Sequence, residues 1–489
     1  MHKLNNAILL TKSKLLLNLQ CPRRLWLATY RHELAKQDSD SLMRIAAGDE
    51  VGALARELSP EGEFISTKSS KEALDLTDAV IRKSPNLPLF EPAFITDDLL
   101  VRVDLLFPQD KHYKLVEVKS STSVKPYQFQ DVAIQTWVLR NAQPKPVMSY
   151  LAHINSQFVY GGDNNYDGFL EEVNLTDEVK SLVDLVPEWL SDAKSTVALK
   201  NEPVEIKTGD QCTKPFDCPF YEHCSSFEEK TEYPIEILPY AAKVVEQLKI
   251  AGYKDLREVP DGLLEKERHL RVHRVTKSGI AELDPAAKLT IDALAYPRFY
   301  LDFETISYAI PKIPNTRPFA QIPFQWSCHV ESDEAAIEHK EFLDTESLDT
   351  RRKFTESLIN VLGGSGTIFV YSSFEQSRIR EMGRLFPDLQ PKLKEIEERL
   401  FDLYKLSKEH YYHPDMKGSW SIKKLLPTVT NLSYKDLAVQ NGGMAQEAYK
   451  QLVSDEMAEK EKQEIRKNLL KYCEQDTWAM VEIVKSYKK

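Results

Sequence analysis

Four cysteines and two sets of carboxylates hold the residue types in this chain that can do chemistry. Cys21 stands near the start, in Gln20-Cys21-Pro22-Arg23-Arg24-Leu25-Trp26, and Cys212, Cys218 and Cys224 follow far downstream, with five residues between each and the next. Between these ends lie Asp104 and Glu117-Val118-Lys119. Hydrolysis of a phosphodiester needs a cation held by carboxylates, an activated water and something positive beside the developing charge. Asp104 and Glu117 are one hairpin's length apart, so adjacent strands can bring them together around Mg²⁺, which prefers hard oxygen ligands. On a strand Glu117 and Lys119 face the same way, which sets the ammonium beside the metal. Glu-x-Lys alone is a weak signal, because Glu228-Glu229-Lys230 and Glu338-His339-Lys340 share it in polar stretches. At Glu117 it ends an apolar, strand-like run, Tyr113-Lys114-Leu115-Val116, where charged residues need a reason.

The second set lies in the last third of the chain. Tyr300-Leu301-Asp302-Phe303-Glu304-Thr305 places Asp302 and Glu304 on one face of an apolar strand. Two like charges so placed are costly unless a cation sits between them. Asp344-Thr345-Glu346 has the same spacing in a polar loop and is set aside. Tyr472-Cys473-Glu474-Gln475-Asp476 puts Tyr472 and Asp476 on one helix face. Between these segments the apolar run Ile368-Phe369-Val370-Tyr371 leads to Ser372-Ser373-Phe374-Glu375.

Four thiolates suit either a tetrahedral zinc ion or a [4Fe–4S] cluster. Structural zinc favours closer cysteine pairs than these, so the spacing fits zinc poorly. Either group would close a loop of nearly two hundred residues between the N-terminal helix and the end of the domain. Arg23 and Arg24 can face phosphates or serve the structure. Cys328 and Cys473, outside this set, read as small buried hydrophobes.

Here the residues acquire a family likeness. Asp104, Glu117-Val118-Lys119-Ser120-Ser121, and Gln135 in Asp131-Val132-Ala133-Ile134-Gln135 resemble the PD-(D/E)XK core of RecB-like nucleases. The cysteine layout resembles their iron–sulfur branch, which includes the CRISPR-adaptation nucleases and the AddB type. That likeness covers about residues 10–226. It implies that Asp104 and Glu117 bind Mg²⁺ or Mn²⁺, that Lys119 is catalytic, that Gln135 orients the site, and that Cys21, Cys212, Cys218 and Cys224 hold a [4Fe–4S] cluster. It departs from the family at one point: where a first-helix His ligand belongs, Gly48-Asp49-Glu50-Val51 is followed by Gly52, and Glu50 or Glu91 is left to substitute. The order Asp-x-Glu, aromatic-acid, Tyr-x-x-x-Asp resembles the DEDDy exonucleases of the RNase H-like superfamily. It implies that Asp302, Glu304, Glu375 and Asp476 hold two metal ions and that Tyr472 orients the attacking water. Asp402, in Leu400-Phe401-Asp402-Leu403, competes with Glu375 and is read as structural. The joint arrangement is similar to an uncharacterised bacterial family in which a domain of unknown function is attached to a RecB-like iron–sulfur nuclease. The residues that carry this likeness are Leu301 to Thr305, Ser421-Ile422-Lys423-Lys424-Leu425-Leu426-Pro427, Asn441-Gly442-Gly443 and Tyr472 to Thr477.

The elements that must position these groups follow from the hydrophobic pattern. Residues 11–60 read as helical, 88–120 as short strands turning at Asp97-Asp98 and at Pro108 to Lys111, and Gln128 to Leu139 as a helix. The cysteine triplet lies in a Pro-containing loop. Residues 231–295 read as a helical connector, with a boundary near 295 before the strand at Phe299. The charged run Glu456 to Lys467 reads as a solvated helix face. The pattern reads as α/β, and the resemblances imply an N-terminal PD-(D/E)XK, restriction-endonuclease-like domain with an iron–sulfur cluster over 1–230, the connector over 231–295, and a C-terminal RNase H-like domain over 296–489.

At 489 residues the chain is long enough for two or three domains. A net charge of −11 excludes a global attraction to phosphate, so nucleic acid must be held by local basic grooves and bound cations. No apolar run is long enough for a membrane span, and Ala7-Ile8-Leu9-Leu10 is too short for a secretory segment, so a cytoplasmic location is expected. Gly363-Gly364-Ser365-Gly366-Thr367 lacks the lysine of a nucleotide-binding loop, so an ATP-driven motor, where one is needed, must come from a partner. The function expected is metal-dependent hydrolysis of nucleic acid, DNA ahead of RNA, single-stranded or with a free end. The alternative is a nucleic-acid-binding scaffold with one or both sites inactive.

Overall fold

A computed structural model describes residues 9–36, 39–334, 336–454 and 457–489. The chain is mixed α/β and divides into two compact units: Met1–Glu229 with Tyr308–Ala320, and Lys230–Ser307 with Gln321–Lys489. Residues 231–295 are counted within the second unit. Among the described residues no helix is long and apolar enough to cross a membrane. Ala7, Ile8 and Glu456, which entered the sequence reading, lie outside the described residues.

The first unit begins with β1 (Leu10–Thr11), α1 (Lys12–Gln20), α2 (Pro22–Tyr30) and α3 (Ser39–Glu57). The Thr11 hydroxyl caps α1 by accepting from the Lys14 amide at 3.3 Å. Pro22 is tolerated as the first residue of α2 because that position needs no amide hydrogen. Cys21 is thus the extended joint between two helices. Then come β2 (Glu63–Phe64), α4 (Ser70–Lys83), β3 (Leu89–Phe90), β4 (Ala93–Thr96), β5 (Leu99–Arg102), β6 (Leu105–Pro108), β7 (Tyr113–Lys119), α5 (Gln128–Ala142), β8 (Val147–Ile154), β9 (Leu170–Asn174), α6 (Lys180–Val183), α7 (Val186–Val197) and α8 (Tyr221–Ser225). The main sheet runs β2-β3-β6-β7-β8-β9, with β7 antiparallel to β6 and parallel to β8. A smaller sheet runs β1-β5-β4. Asp97 and Asp98, at φ +50° and +65°, form the two-residue turn between β4 and β5, a left-handed conformation that a short polar side chain tolerates. Val132, Ala133, Ile134, Val138 and Leu139 of α5 are buried, which makes two polar residues on the same helix, Asp131 and Gln135, conspicuous.

The second unit contains α9 (Ala242–Ile250), α10 (Glu267–Ser278), β10 (Glu282–Leu283), α11 (Ala286–Asp292), β11 (Arg298–Ile306), β12 (Ile322–Glu331), β13 (Ile337–Leu343), α12 (Arg351–Leu362), β14 (Thr367–Val370), α13 (Phe374–Leu385), α14 (Gln390–Glu398), β15 (Leu400–Asp402), α15 (Leu403–His410), β16 (Tyr411–Tyr412), α16 (Ile422–Val429), α17 (Gly442–Leu452) and α18 (Glu459–Tyr487). Its sheet order is β13-β12-β11-β14-β15, antiparallel across β13, β12 and β11 and parallel across β11, β14 and β15. Alternation decides what β11 does. Phe299, Leu301 and Phe303 join a core with α12, α13 and α14, while Asp302 and Glu304 point to the other face, towards α18. Glu459 to Lys467, at the start of α18, is mostly exposed, and the helix becomes buried from Leu469 onward.

Candidate functional site

In the second unit, two carboxylates of β11 meet one from α18. A ligand oxygen from each of Asp302, Glu304 and Asp476 lies within 4.8 Å of the other two. Glu375 joins them from the first turn of α13. Ser372, at φ +148°, turns the chain out of β14 in a conformation that side chains seldom adopt, and its hydroxyl accepts from the Phe374 amide at 3.1 Å. Strain of this kind is held in place where the position of the following residue matters. Glu375 is buried, and its Oε2 has no hydrogen-bond partner among the described residues. Asp402 instead caps α15, accepting from the Lys405 amide at 3.0 Å, the structural role expected of it.

The electrostatics of this site are those of crowded, buried carboxyls. Burial and the repulsion of Asp476, Glu375 and Glu304 hold the Asp302 carboxyl well above its usual range. Burial, then Asp476, pushes Glu304 up to about 8. Burial, with Asp402 and Asp476, pushes Glu375 up to about 8. Burial raises Asp476 only to about 6, because the Tyr434 hydroxyl, Lys423 and Tyr472 oppose it. Tyr434 donates to Asp476 Oδ1 at 2.6 Å, and Lys423 Nζ donates to Tyr472 Oη at 3.4 Å and to the Gln440 carbonyl at 2.6 Å. Lys423 also stands 5.4 Å from the ring centres of both tyrosines. Burial and the carboxylates keep the Tyr472 hydroxyl protonated. Among the described residues Lys423 is the cation that acts on Glu304 and Asp476, and burial and mutual repulsion favour protons on the crowded carboxyls.

The hydrogen-bonding roles of Tyr434 and Lys423 were not read from the sequence. Lys423 lies in a segment noted only for its likeness, and Tyr434 lies in an ordinary loop, so neither carried a chemical signal. Cys473 is buried, as expected of a small hydrophobe, but its Sγ also donates to Asp302 Oδ2 at 3.5 Å. Cys328 is buried as expected.

In the first unit Glu117 is at the centre. Its Oε1 accepts from Lys12 Nζ at 2.8 Å and Lys119 Nζ at 2.5 Å, and its Oε2 accepts from Gln135 Nε2. Asp104 precedes β6 and accepts from the Val118 amide at 2.6 Å. Asp131 joins the group: Lys12 reaches its Oδ1 at 2.9 Å and Lys119 bonds its Oδ2. Gln135 also donates to Asp131 Oδ1 at 3.3 Å, and its own Oε1 is buried with no partner among the described residues. Burial and Glu117 raise the Asp104 carboxyl well above its usual range. Burial would raise Asp131 too, but Lys12 and Lys119 outweigh it and hold Asp131 below the usual range. Burial opposes the charge on Lys119, but Glu117 and Asp131 overcome it and raise the ammonium. Three carboxyls therefore meet two ammoniums, which pair with Glu117 and Asp131. Among the described residues Asp104 and Glu117 belong to no three-ligand group of the kind found in the second unit.

Lys12 and Asp131 were missed in the sequence. Asp131 was legible, since it stands four residues before Gln135 on an otherwise apolar helix. Lys12 gave no signal, because only the fold brings it to Glu117. Of the two substitutes for the missing His, Glu91 lies beside the site: its amide donates to the Asp104 carbonyl at 3.1 Å, and its carboxylate, raised first by burial, faces Arg102 and Arg56. Glu50 acts instead on Tyr308.

Cys21, Cys212, Cys218 and Cys224 line one pocket, together with Arg24 and Phe220. Yet among the described residues no three of these thiols come within 4.8 Å of one another. Thiolates at about 2.3 Å from one tetrahedral zinc would lie about 3.8 Å apart, so the set is wider than a single ion requires. Burial pushes the Cys224 thiol up to about 11 and raises Cys218, against the pull of Arg23 and Arg24. Arg23 is buried and forms an ion pair with Glu202 at 2.6 Å, so it has the structural role and does not face a phosphate. Gln20 donates to the Gln211 and Phe216 carbonyls, both at 2.7 Å, and Trp26 donates to the Leu199 carbonyl at 3.1 Å. The N-terminal helices are thereby fastened to the cysteine loop.

Residues 299–421 match a family described as "Domain of unknown function (DUF2779)". The match contains Asp302, Glu304 and Glu375 and stops before Lys423 and α18. The uncharacterised protein MG366 of Mycoplasma genitalium is 31% identical over 40% of this chain and 33% of its own length. Its homologue in Mycoplasma pneumoniae is 30% identical over 42% and 34%. This chain therefore spans about a third of the length of those two relatives. The uncharacterised protein UU173 of Ureaplasma parvum is 21% identical over 86% of this chain and 80% of its own. A solved structure titled "Crystal structure of SSO0001" aligns at 17% identity over 47% of this chain and 91% of that one, with a TM-score of 0.21, an overlap too low to assign a fold. The chain is thus similar, through part of its second unit, to a domain family of unknown function, and over longer stretches to uncharacterised mycoplasmal proteins.

Proposed function

We propose that this protein is a metal-dependent hydrolase of phosphodiester bonds in nucleic acid, with DNA favoured over RNA and ends or single strands favoured over intact duplex. The observation that carries this reading is the convergence of Asp302, Glu304 and Asp476, with Glu375 beside them, against a single lysine. Hard oxygen donors carrying excess negative charge suit Mg²⁺ or Mn²⁺. Such cations, when bound, supply the positive charge that a phosphate ester and an attacking water need. The chain's own groups do the rest. Asp302, Glu304, Glu375 and Asp476 fix where positive charge is held. The Tyr472 hydroxyl stays protonated beside Lys423 and is placed to orient a water by hydrogen bonding. This is the role that a DEDDy-type, RNase H-like second unit would give it.

The first unit fits a PD-(D/E)XK reading through Asp104, Glu117, Lys119 and Gln135. Lys12 favours a second reading for that constellation alone: with two ammoniums already on Glu117 and Asp131, little negative charge is left for a cation, as in a scaffold whose first site is inactive. The four cysteines fit a [4Fe–4S] cluster by donor type and by their spread around one pocket. Such a cluster would tie the joint of α1 and α2 to the loop at 212–224, and thiols of this kind fit a reducing, cytoplasmic setting. Any ATP-driven motor would be a separate partner.

The test is cleavage of end-labelled single-stranded DNA and RNA with Mg²⁺ or Mn²⁺, by wild type, Asp302→Ala, Lys119→Ala and the double variant. Loss of cleavage in Asp302→Ala is expected. Loss in Lys119→Ala as well would make the first unit catalytic. A wild type that cuts neither polymer would leave a binding scaffold, and a double variant that still cuts would remove both site assignments.

A further inference from the structure

A second cluster of metal-ligating side chains lies in the same unit and takes no part in the reading above. A ligand atom from each of His329 on β12, His339 on β13 and Glu474 on α18 lies within 4.8 Å of the other two. His329 is buried, whereas the His339 and Glu474 side chains are 22% and 49% exposed, so the cluster opens to solvent on one side. Glu474 stands between Tyr472 and Asp476 on α18, but alternation around the helix turns it away from the carboxylates towards the β12–β13 pair.

The hydrogen bonds around the two imidazoles admit an arrangement of protons that leaves one nitrogen of each ring bare. Thr477 donates its hydroxyl hydrogen to the Glu474 carbonyl at 2.9 Å. In that arrangement its oxygen accepts from its other two neighbours, Ser327 Oγ and His329 Nδ1, both at 2.9 Å. Ser327, its hydrogen given to Thr477, then accepts from His339 Nε2 at 2.9 Å. This arrangement puts the His329 proton on Nδ1 and the His339 proton on Nε2, with the lone pairs on His329 Nε2 and His339 Nδ1. The latter faces Glu474 Oε1 at 3.8 Å. This is how metal-binding histidines are held elsewhere: the far nitrogen donates to a neighbour, which fixes the tautomer and leaves the near one bare. Nitrogen donors of borderline softness with one carboxylate select a d-block ion over Mg²⁺.

We propose that His329, His339 and Glu474 form a separate site for a divalent transition-metal ion of the Zn²⁺ type, which clamps α18 to the β12–β13 hairpin. Zn²⁺ holds nitrogen and oxygen at about 2.0–2.2 Å, so the three side chains need to draw in by about an ångström, within reach of side-chain torsions. An ion here would steady the helix that carries Tyr472 and Asp476 without touching the reacting groups. His329, His339 and Glu474 are thus candidate ligands, and Thr477 and Ser327 are positioning residues.

The experiment is Zn²⁺ titration of the full-length protein, with its cysteine site filled and Mg²⁺ in large excess, and Co²⁺ as an optical probe. One equivalent of Zn²⁺ is expected to bind despite Mg²⁺ and to raise the melting temperature. Asp302→Asn and Cys212→Ser should keep that equivalent, and His339→Ala should lose it. Thr477→Val, which removes the hydroxyl that holds His329 and Ser327 while leaving all three ligands in place, should weaken it about 10–100-fold. Glu474 is half exposed, so Glu474→Gln tests the ligand set without disturbing the fold. The proposal is overturned if no Mg²⁺-resistant equivalent binds, if His339→Ala and Glu474→Gln bind as tightly as wild type, or if Asp302→Asn abolishes binding and so places the ion among the carboxylates.

Discussion

Stripping divalent cations from the second unit should make its stability fall steeply as pH rises. Burial and mutual repulsion hold Glu304 and Glu375 up to about 8 and Asp476 to about 6. In the unfolded chain such carboxyls titrate near about pH 4. Between these limits the folded state binds more protons than the unfolded one. This cluster's contribution to the stability of the metal-free unit is therefore fully present below about pH 4 and is lost as pH climbs through about 6 and then 8. A single carboxyl raised by about three units is destabilised by roughly 4 kcal/mol when it ionises. The groups interact, so their penalties overlap, and about 3–5 kcal/mol for the whole site is the scale to expect. For a unit of this size each kcal/mol moves the melting point by about 2–4 °C, which gives a fall of about 10 °C. Scanning calorimetry in chelator at about pH 6 and about pH 8.5 reads this directly, and millimolar Mg²⁺ should restore the loss at the higher pH. Asp302→Asn removes one of the crowded charges and should flatten the pH dependence while it abolishes the Mg²⁺ effect. A metal-free melting point that holds or rises from about pH 6 to 8.5, with no response to Mg²⁺, would refute the reasoning.

Three further outcomes follow from the same geometry. Tyr472→Phe keeps the ring against Lys423 and removes only the hydroxyl, so steady-state kinetics should give kcat down about 100-fold with KM little changed. Cys212→Ser should cost an anaerobic preparation its brown colour and its broad absorbance near about 400 nm, whereas colourless wild type containing zinc would overturn the cluster. Arg23→Ala leaves Glu202 sheltered with only His223 beside it, and denaturant unfolding of the first unit should register a loss of about 3 kcal/mol.

What the sequence made legible was whatever depends on local period. Asp302 and Glu304 share a face because strands alternate, and Tyr472 and Asp476 share one because helices repeat near every fourth residue. Both pairs lie as that arithmetic requires. The turn at Asp97-Asp98 and the helix from Gln128 were likewise visible in side-chain type alone. What stayed hidden depends on chain closure. Lys12 reaches Glu117 across more than a hundred residues, and Tyr434 reaches Asp476 across a loop of no special composition. Glu338-His339-Lys340, set aside as a polar stretch, contributes His339 to a cluster that exists only once β12, β13 and α18 are packed. Arg23 looked equally able to face a phosphate or to serve the structure until its burial against Glu202 placed it.

The central claim is that Asp302, Glu304 and Asp476 are held together to grip a divalent ion. Anomalous diffraction from crystals grown with Mn²⁺ tests it most directly. A Mn²⁺ peak bonded to oxygens of all three carboxylates, and absent from Asp302→Asn crystals, is the expected result. Crystals of wild type with no peak there, and with those carboxyls protonated and hydrogen-bonded to one another, would contradict it.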